Sequence, residues 1–155
     1  MEYPSRDEER QILERVALAP AGATVMQDVA LAESAASAEA ILEVRTELDG
    51  VRVDRKIQDY IVSLVFATRE PVAAGLPEFA KWLEFGTSPR ATIFLTRAAR
   101  ARAYLEGRDF VRPDDVKAIA YPVLRHRLRT TYEADAKGIT PEQLIERLLA
   151  TVPAP

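Results

Sequence analysis

Between Asp54 and Pro71 the sequence admits one regular structure. Ile57, Tyr60, Ile61, Leu64, Val65 and Thr68 recur at the i, i+3, i+4, i+7 spacing of a helix with one buried stripe, and a strand would scatter them over both faces. Asp54 stands where an N-cap belongs, and Pro71 stops the pattern. A short amphipathic helix gains most of its stability from packing, so the rest of the chain has to cover this stripe.

The remaining sequence is also helical in pattern. Ser5 and Glu8 form a capping box ahead of Ile12, Leu13 and Val16, which predicts a helix over about residues 6–18. From Ala17 to Ala36 the chain is alanine-rich, holds Pro20 and Gly22 and shows no period, so a mobile connection is expected. Ser37 caps a helix carrying Ile41, Leu42, Arg45 and Leu48 that ends at Asp49-Gly50. After Pro71 comes a connection holding Phe79, Trp82, Leu83 and Phe85, read as a short helix packed on the core in preference to a binding surface. Ser88-Pro89 opens the longest helix, with serine as cap and proline at the first helical position. It runs to Gly107 with Phe94, Ala98, Ala101 and Leu105 as its inner stripe, and its alanines allow a neighbour to approach closely. Arg108 to Val111 form a locally extended connector. Pro113-Asp114-Asp115 starts a helix carrying Val116, Ile119, Val123 and Leu124, kinked or interrupted at Pro122. Thr140-Pro141-Glu142-Gln143 caps a last helix with Leu144, Ile145, Leu148 and Leu149. Strand signals are nearly absent, so the expected class is all-α, a small bundle of about six helices.

Composition narrows the function. The 155 residues contain no cysteine and one histidine, which removes thiol catalysis, disulfide scaffolds and histidine-based metal clusters. No apolar run approaches the roughly 20 residues of a membrane helix, and a cytoplasmic location is expected. A net charge of -3 argues against a dedicated nucleic-acid binder. Of 21 basic residues, only Lys56, Lys81, Lys117 and Lys137 are lysines. Arginine binds phosphate and carboxylate bidentately, although GC-rich coding gives the same bias.

No catalytic set emerges. There is neither a G-x-x-x-x-G-K-[ST] loop nor G-x-G-x-x-G, so no backbone cradle for nucleotide phosphates. His126, within Arg125-His126-Arg127, has no orienting carboxylate near it in sequence and reads as a helix-surface or cap histidine. Asp114-Asp115 and Glu8-Glu9 read as first-turn acids meeting unpaired amides, and no metal site is expected. What stands out is Gly86-Thr87-Ser88-Pro89-Arg90-Ala91. It presents a guanidinium beside a helix start, where arginine and free amides together can meet an anion. On physics alone an ordinary surface arginine is the preferred reading of Arg90. Arg97 lies two turns on, roughly 10 Å along the same face, so an anionic partner larger than one phosphate would fit.

Three ordered motifs carry a resemblance. Gly86 to Ala91, then Gly107-Arg108-Asp109-Phe110-Val111-Arg112-Pro113-Asp114-Asp115-Val116, then Val123-Leu124-Arg125-His126-Arg127-Leu128 resemble the C-terminal part of the MoxR family of AAA+ ATPases. Tyr3-Pro4-Ser5-Arg6-Asp7-Glu8-Glu9 is similar to the stretch that follows that family's nucleotide-binding domain. The likeness covers the whole chain, weakly at about residues 17–36 and 71–81. Two departures stand out: Thr87 for the commoner alanine, and Arg112 where threonine would cap the next helix, a loss of about 1 kcal/mol.

The resemblance implies a single helical lid domain over residues 1–155, with 1–18 as the first lid helix, 19–36 as the mobile connection and 37–155 as the main bundle. It implies a parent ATPase that binds ATP and Mg in an N-terminal AAA+ core. Walker A, Walker B, the first sensor and the arginine finger belong to that core, so this chain alone is not expected to hydrolyse ATP. It carries the sensor-2 role onto Arg90, with Ser88 beside it and Ile12 as a contact to the adenine. Arg125, His126 and Arg127 receive no role. The family further implies a homo-hexameric ring, chaperone-like remodelling of clients and a possible von Willebrand A domain partner, with no nucleic acid and no membrane insertion. Two other functions stay open: a free-standing helical protein–protein interaction module using the Phe79 to Phe85 patch, and a helix-turn-helix DNA binder using Arg97, Arg100 and Arg102.

Overall fold

A computed structural model describes residues 37–155; the helix expected at 1–18, the connection at 19–36 and Ile12 lie outside the described residues. The chain divides into two compact units, residues 1–42 and 43–155. Of the first, the described part is Ser37 and the opening turns of one helix.

Among the described residues there are seven helices and one small sheet. They are α1 (Ala38–Asp49), α2 (Arg55–Ala67), α3 (Phe79–Trp82), β1 (Leu83–Phe85), α4 (Arg90–Leu105), α5 (Pro113–Leu124), β2 (Arg129–Thr130), α6 (Tyr132–Ala136) and α7 (Pro141–Thr151). The all-α class holds. The sheet and the one-turn α6 were not anticipated: β1 and β2 pair antiparallel, Leu83 with Thr130 and Phe85 with Arg129. That pairing leaves Phe85 64% exposed, outside the packed patch in which the sequence put it.

The caps follow their sequence signals at most ends. The Ser37 hydroxyl accepts the Ala40 N–H at 3.1 Å, and Asp54 accepts that of Lys56 at 2.8 Å. Thr140 and Gln143 cap one another reciprocally at α7. At α5 the Arg112 side chain supplies no cap, but Asp115 accepts the Arg112 N–H at 2.8 Å, so the acid three residues on takes over half of what the absent threonine would do. Gly107, at φ 70°, closes α4: its N–H bonds the Tyr104 carbonyl and that of Arg108 reaches the Ala103 carbonyl. That left-handed turn ends the helix at Leu105, two residues short of the expected Gly107.

The core lies where α2, α4, α5 and α7 meet. The stripe of α2 is buried as read: Ile57, Tyr60, Ile61, Leu64 and Val65. From α5 come Val116, Ala120 and Leu124, and from α7 Leu144, Ile145 and Leu148; α5 continues through Pro122 to Leu124. The inner stripe of α4 differs from expectation. It is Ala91, Leu95, Ala99 and Ala103, all at 0% exposure, while Phe94 is 43% and Leu105 84% exposed. Three alanines face inward because α4 and α5 lie close along their length, and large side chains on that face would hold them apart. The expectation foresaw alanines on this face but set the stripe on Phe94, Ala98, Ala101 and Leu105, rotated around the helix from the buried one.

Ion pairs fasten the ends of these helices. Arg108 grips Asp115 with both terminal nitrogens, at 2.8 and 2.6 Å, tying the end of α4 to the start of α5. Burial alone would raise the Asp115 carboxyl. The Arg108 hydrogen bonds, the Arg112 N–H and the Arg108 and Arg102 charges outweigh it and hold the group below its ordinary range.

Candidate functional site

The site begins at the end of α2. Thr68 follows the last helical residue, and its hydroxyl donates to the Val65 carbonyl at 2.7 Å. The Thr87 N–H donates to the Thr68 hydroxyl oxygen at 3.0 Å, and the two threonine hydroxyls are 3.0 Å apart. Because the Thr68 proton is committed to Val65, the Thr87 hydroxyl is the donor in that pair. Arg69 donates from Nε to the Thr87 carbonyl at 2.6 Å, and its guanidinium lies 5.3 Å from the Phe66 ring centre.

Gly86 makes this contact possible. A Cβ there would stand 2.6 Å from the Thr68 carbonyl oxygen and 2.8 Å from Arg69 Cα, closer than real Cβ atoms come. The segment before α4 therefore lies flat against the end of α2.

Arg90 is the first residue of α4. The sequence expected Ser88 to cap this helix with its side chain and Pro89 to open it. Instead Pro89 takes the capping position in an α-region conformation with no side-chain cap bond. The carbonyl of Ser88 accepts the Ala91 N–H at 2.9 Å, while its hydroxyl makes no hydrogen bond among the described residues. The reason lies one residue back: Thr87 is drawn onto Thr68, and that fixes the direction in which Ser88 leaves.

The Arg90 side chain is exposed and among the described residues makes no hydrogen bond, ion pair or ring contact. Its neighbour Ala91 is fully buried. The backbone of Arg90 is thus anchored on both sides while its guanidinium stands free in solvent. Arg97, two turns on, is likewise exposed and unpaired among the described residues. Between them Phe94 is covered by Arg127, whose guanidinium lies 4.8 Å from the ring centre. Phe94, Arg97 and Arg127, with Pro122 and His126, edge a shallow cleft of about 410 Å³ that Arg90 does not line.

The other basic residues named from the sequence are engaged elsewhere. Arg125 pairs with Glu142 at 2.6 Å, His126 contacts Arg127, and Arg127 also donates to the Val123 carbonyl at 3.0 Å. Of the three arginines considered for DNA, Arg100 pairs with Asp49 at 3.6 Å, and Arg102 with Glu106 at 3.6 Å and Asp115 at 3.7 Å. The sequence singled out Arg90 but missed Thr68, Arg69 and Thr87 as its support; Gly86, just before two polar residues ahead of a helix, was the available signal.

Residues 80–148 match the family model for the AAA lid domain, and the described helices with the Gly86 to Arg90 turn are a fold of that class. Over 153 residues the chain is 39% identical to Chaperone MoxR1 of Mycobacterium tuberculosis, covering 99% of this chain and 38% of that protein. Protein MoxR of Methylorubrum extorquens is 41% identical over 111 residues, 68% of this chain and 32% of its own. In three dimensions the chain is similar to a crystal structure of a candidate ATPase from Cytophaga hutchinsonii, with a TM-score of 0.78 and 35% identity over all of this chain and 45% of that one. The chain belongs to the MoxR family of AAA+ proteins, of which it forms the helical lid region. It spans less than half the length of these relatives. Among the described residues no helix is long and apolar enough to cross a membrane.

Proposed function

We propose that this chain closes over ATP held by the N-terminal core of a MoxR-type ATPase and senses the nucleotide's phosphates through Arg90. One observation carries the reading: Arg90 is a cation with no partner among the described residues, at the start of a helix whose backbone is held on either side of it. A guanidinium so placed matches phosphate oxygens in charge and geometry, and needs little reorganisation to meet them. Ser88, whose hydroxyl is unused among the described residues, is a second donor beside it.

On this reading the lid serves the phosphates and the Mg ligands belong to the core; among the described residues no group of three or more His, Asp or Glu side chains comes together. Catalysis belongs to that core as well, with the lid contributing charge stabilisation during phosphoryl transfer and coupling nucleotide state to lid angle. The same proposal includes a ring of such subunits and chaperone action on client proteins, the latter supported by the name of the Mycobacterium tuberculosis relative.

The test is Arg90→Ala in the whole protein. Loss of one phosphate-directed donor is worth about 3 kcal/mol of transition-state stabilisation, or roughly a hundredfold in ATP turnover. Turnover within about twofold of wild type would remove the sensor assignment.

A further inference from the structure

We propose that Thr68 and Arg69, at the end of α2, are positioning residues for Arg90, a polar clamp that sets where its guanidinium stands. The proposal rests on the phosphate-sensing reading of Arg90. It deepens that reading by naming which part of the lid holds the sensor in place.

The chemistry of the clamp is complete on the Thr87 side. The backbone N–H and the side-chain hydroxyl of Thr87 both donate to the Thr68 hydroxyl oxygen, and its carbonyl accepts from Arg69 Nε. All three polar groups of one residue are therefore held by two consecutive residues of another element. The Thr68 hydroxyl in turn gives its one proton to Val65 and receives two, which is its full capacity.

Burial shows that this arrangement does more than fill space. Tyr60 aside, only three polar or charged side chains are buried among the described residues, and two of them are Thr68 and Thr87, each at 2% exposure. A pair of valines would occupy nearly the same volume with no hydroxyl to satisfy. Hydroxyls that must meet one another at hydrogen-bond distance fix relative position in a way that apolar contact does not. Gly86 adds a steric stop, because its backbone already lies against Thr68 and Arg69 with no room for a Cβ.

Only Ser88 and Pro89 separate Thr87 from Arg90, and Pro89 has a ring-restricted φ of -55°. On the other side the Ala91 N–H returns to the Ser88 carbonyl and the Ala91 side chain is fully buried. A displacement of Thr87 is thus passed to Arg90 through a short, stiff connection. The Arg69 Nη2 lies buried with no hydrogen-bond partner, which is consistent with a side chain held by its Nε bond and its place over Phe66.

The experiment is a double-mutant cycle on steady-state ATP hydrolysis in the whole protein, comparing Thr68→Val, Thr68→Ser, Arg90→Ala and Thr68→Val with Arg90→Ala. Thr68→Val is expected to lower kcat about tenfold, as a small displacement of a catalytic group does. Thr68→Ser, which keeps the hydroxyl, should stay within about twofold of wild type. The decisive term is the combination: on top of Arg90→Ala, Thr68→Val should cost nothing further. If Thr68→Val lowers kcat equally in both backgrounds, or Thr68→Ser fails to restore it, the clamp supports only the fold and the proposal is overturned. Should Arg90→Ala itself leave turnover unchanged, the sensor reading falls first and the clamp loses its object. Thermal melts accompany each variant; where Thr68→Val unfolds the chain, Arg69→Lys, on a half-buried side chain, repeats the cycle with the same expectations.

Discussion

Asp115→Asn should be among the most costly conservative substitutions in this chain. The Asp115 side chain is 4% exposed and the Arg108 side chain 21%. The carboxylate receives two hydrogen bonds from Arg108 and one from the Arg112 N–H, with Arg102 3.7 Å away. Asparagine keeps one acceptor oxygen, turns an amide donor toward donors that already point inward, and removes the negative charge. Breaking a buried pair from one side costs about 3–5 kcal/mol, and because Arg108 can turn its head toward water the lower end applies, about 3 kcal/mol. For a domain of this size that lowers Tm by roughly 10 °C, read by circular dichroism at pH 7. The pH dependence has a definite sign. The folded-state pKa of Asp115 lies below its ordinary value, so its contribution is complete above the unfolded pKa, near 4, and disappears as pH falls through the folded value. The gap between wild type and variant should be constant from about pH 7 to 5 and close below about pH 4. A Tm change under about 3 °C at pH 7, or a gap that persists undiminished in acid while both proteins are folded, would refute the reasoning.

Arg90→Ala, expected on the sensor reading to cut turnover in the whole protein, should leave the melting curve of the chain within about 0.5 kcal/mol of wild type, because the side chain is exposed and unpaired among the described residues; a larger loss would mean that the residue is structural. Gly86→Ala should destabilise by about 1–3 kcal/mol through overpacking alone, since its backbone is not in the left-handed region while its Cβ would stand 2.6 Å from the Thr68 oxygen. Urea titration giving a difference below about 0.5 kcal/mol would contradict that close approach. Tyr60→Phe should be neutral or stabilising by up to about 1 kcal/mol, because the buried Tyr60 hydroxyl has no hydrogen-bond partner among the described residues. Burial, with a smaller push from the Asp114 charge, raises its pKa, so the wild-type phenol should ionise later than free tyrosine in an alkaline titration.

Elements whose pattern and cap lie within a dozen residues were legible in the sequence. The stripe of α2 and the Asp54 cap are local facts, as is the Thr140–Gln143 box. The face of α4 was not, because the buried side of a helix is decided by what packs on it. Phe94 and Leu105 attract attention by size, yet the close approach of α5 selects Ala91, Ala99 and Ala103. The strand Leu83–Phe85 depends on Arg129–Thr130, far along the chain and too short to signal itself. The site divides in the same way. Arg90 announces itself through Gly86 and Pro89, whereas Thr68 reads as one more position in a helical stripe until Thr87, 19 residues on, is seen against it.

Pairing separates Arg90 and Arg97 from the other two arginines of α4 and bears on what a lid has to do. Arg100 and Arg102 are held by carboxylates, and either would have to surrender a partner before meeting a phosphate. Arg90 has no partner among the described residues to surrender, so on the lid reading the whole of a new phosphate contact favours the closed state over the open one. A charge-assisted hydrogen bond of about 1.5–3 kcal/mol made in one state only shifts that equilibrium by roughly tenfold to a hundredfold. A guanidinium on a loose loop would lose part of this in ordering its own backbone, about 1–2 kcal/mol for each residue fixed. The anchored backbone from Thr87 to Ala91 has met that cost during folding. On the same reading the hydrogen bonds at Thr68 and Arg69 act on nucleotide sensing without touching the nucleotide.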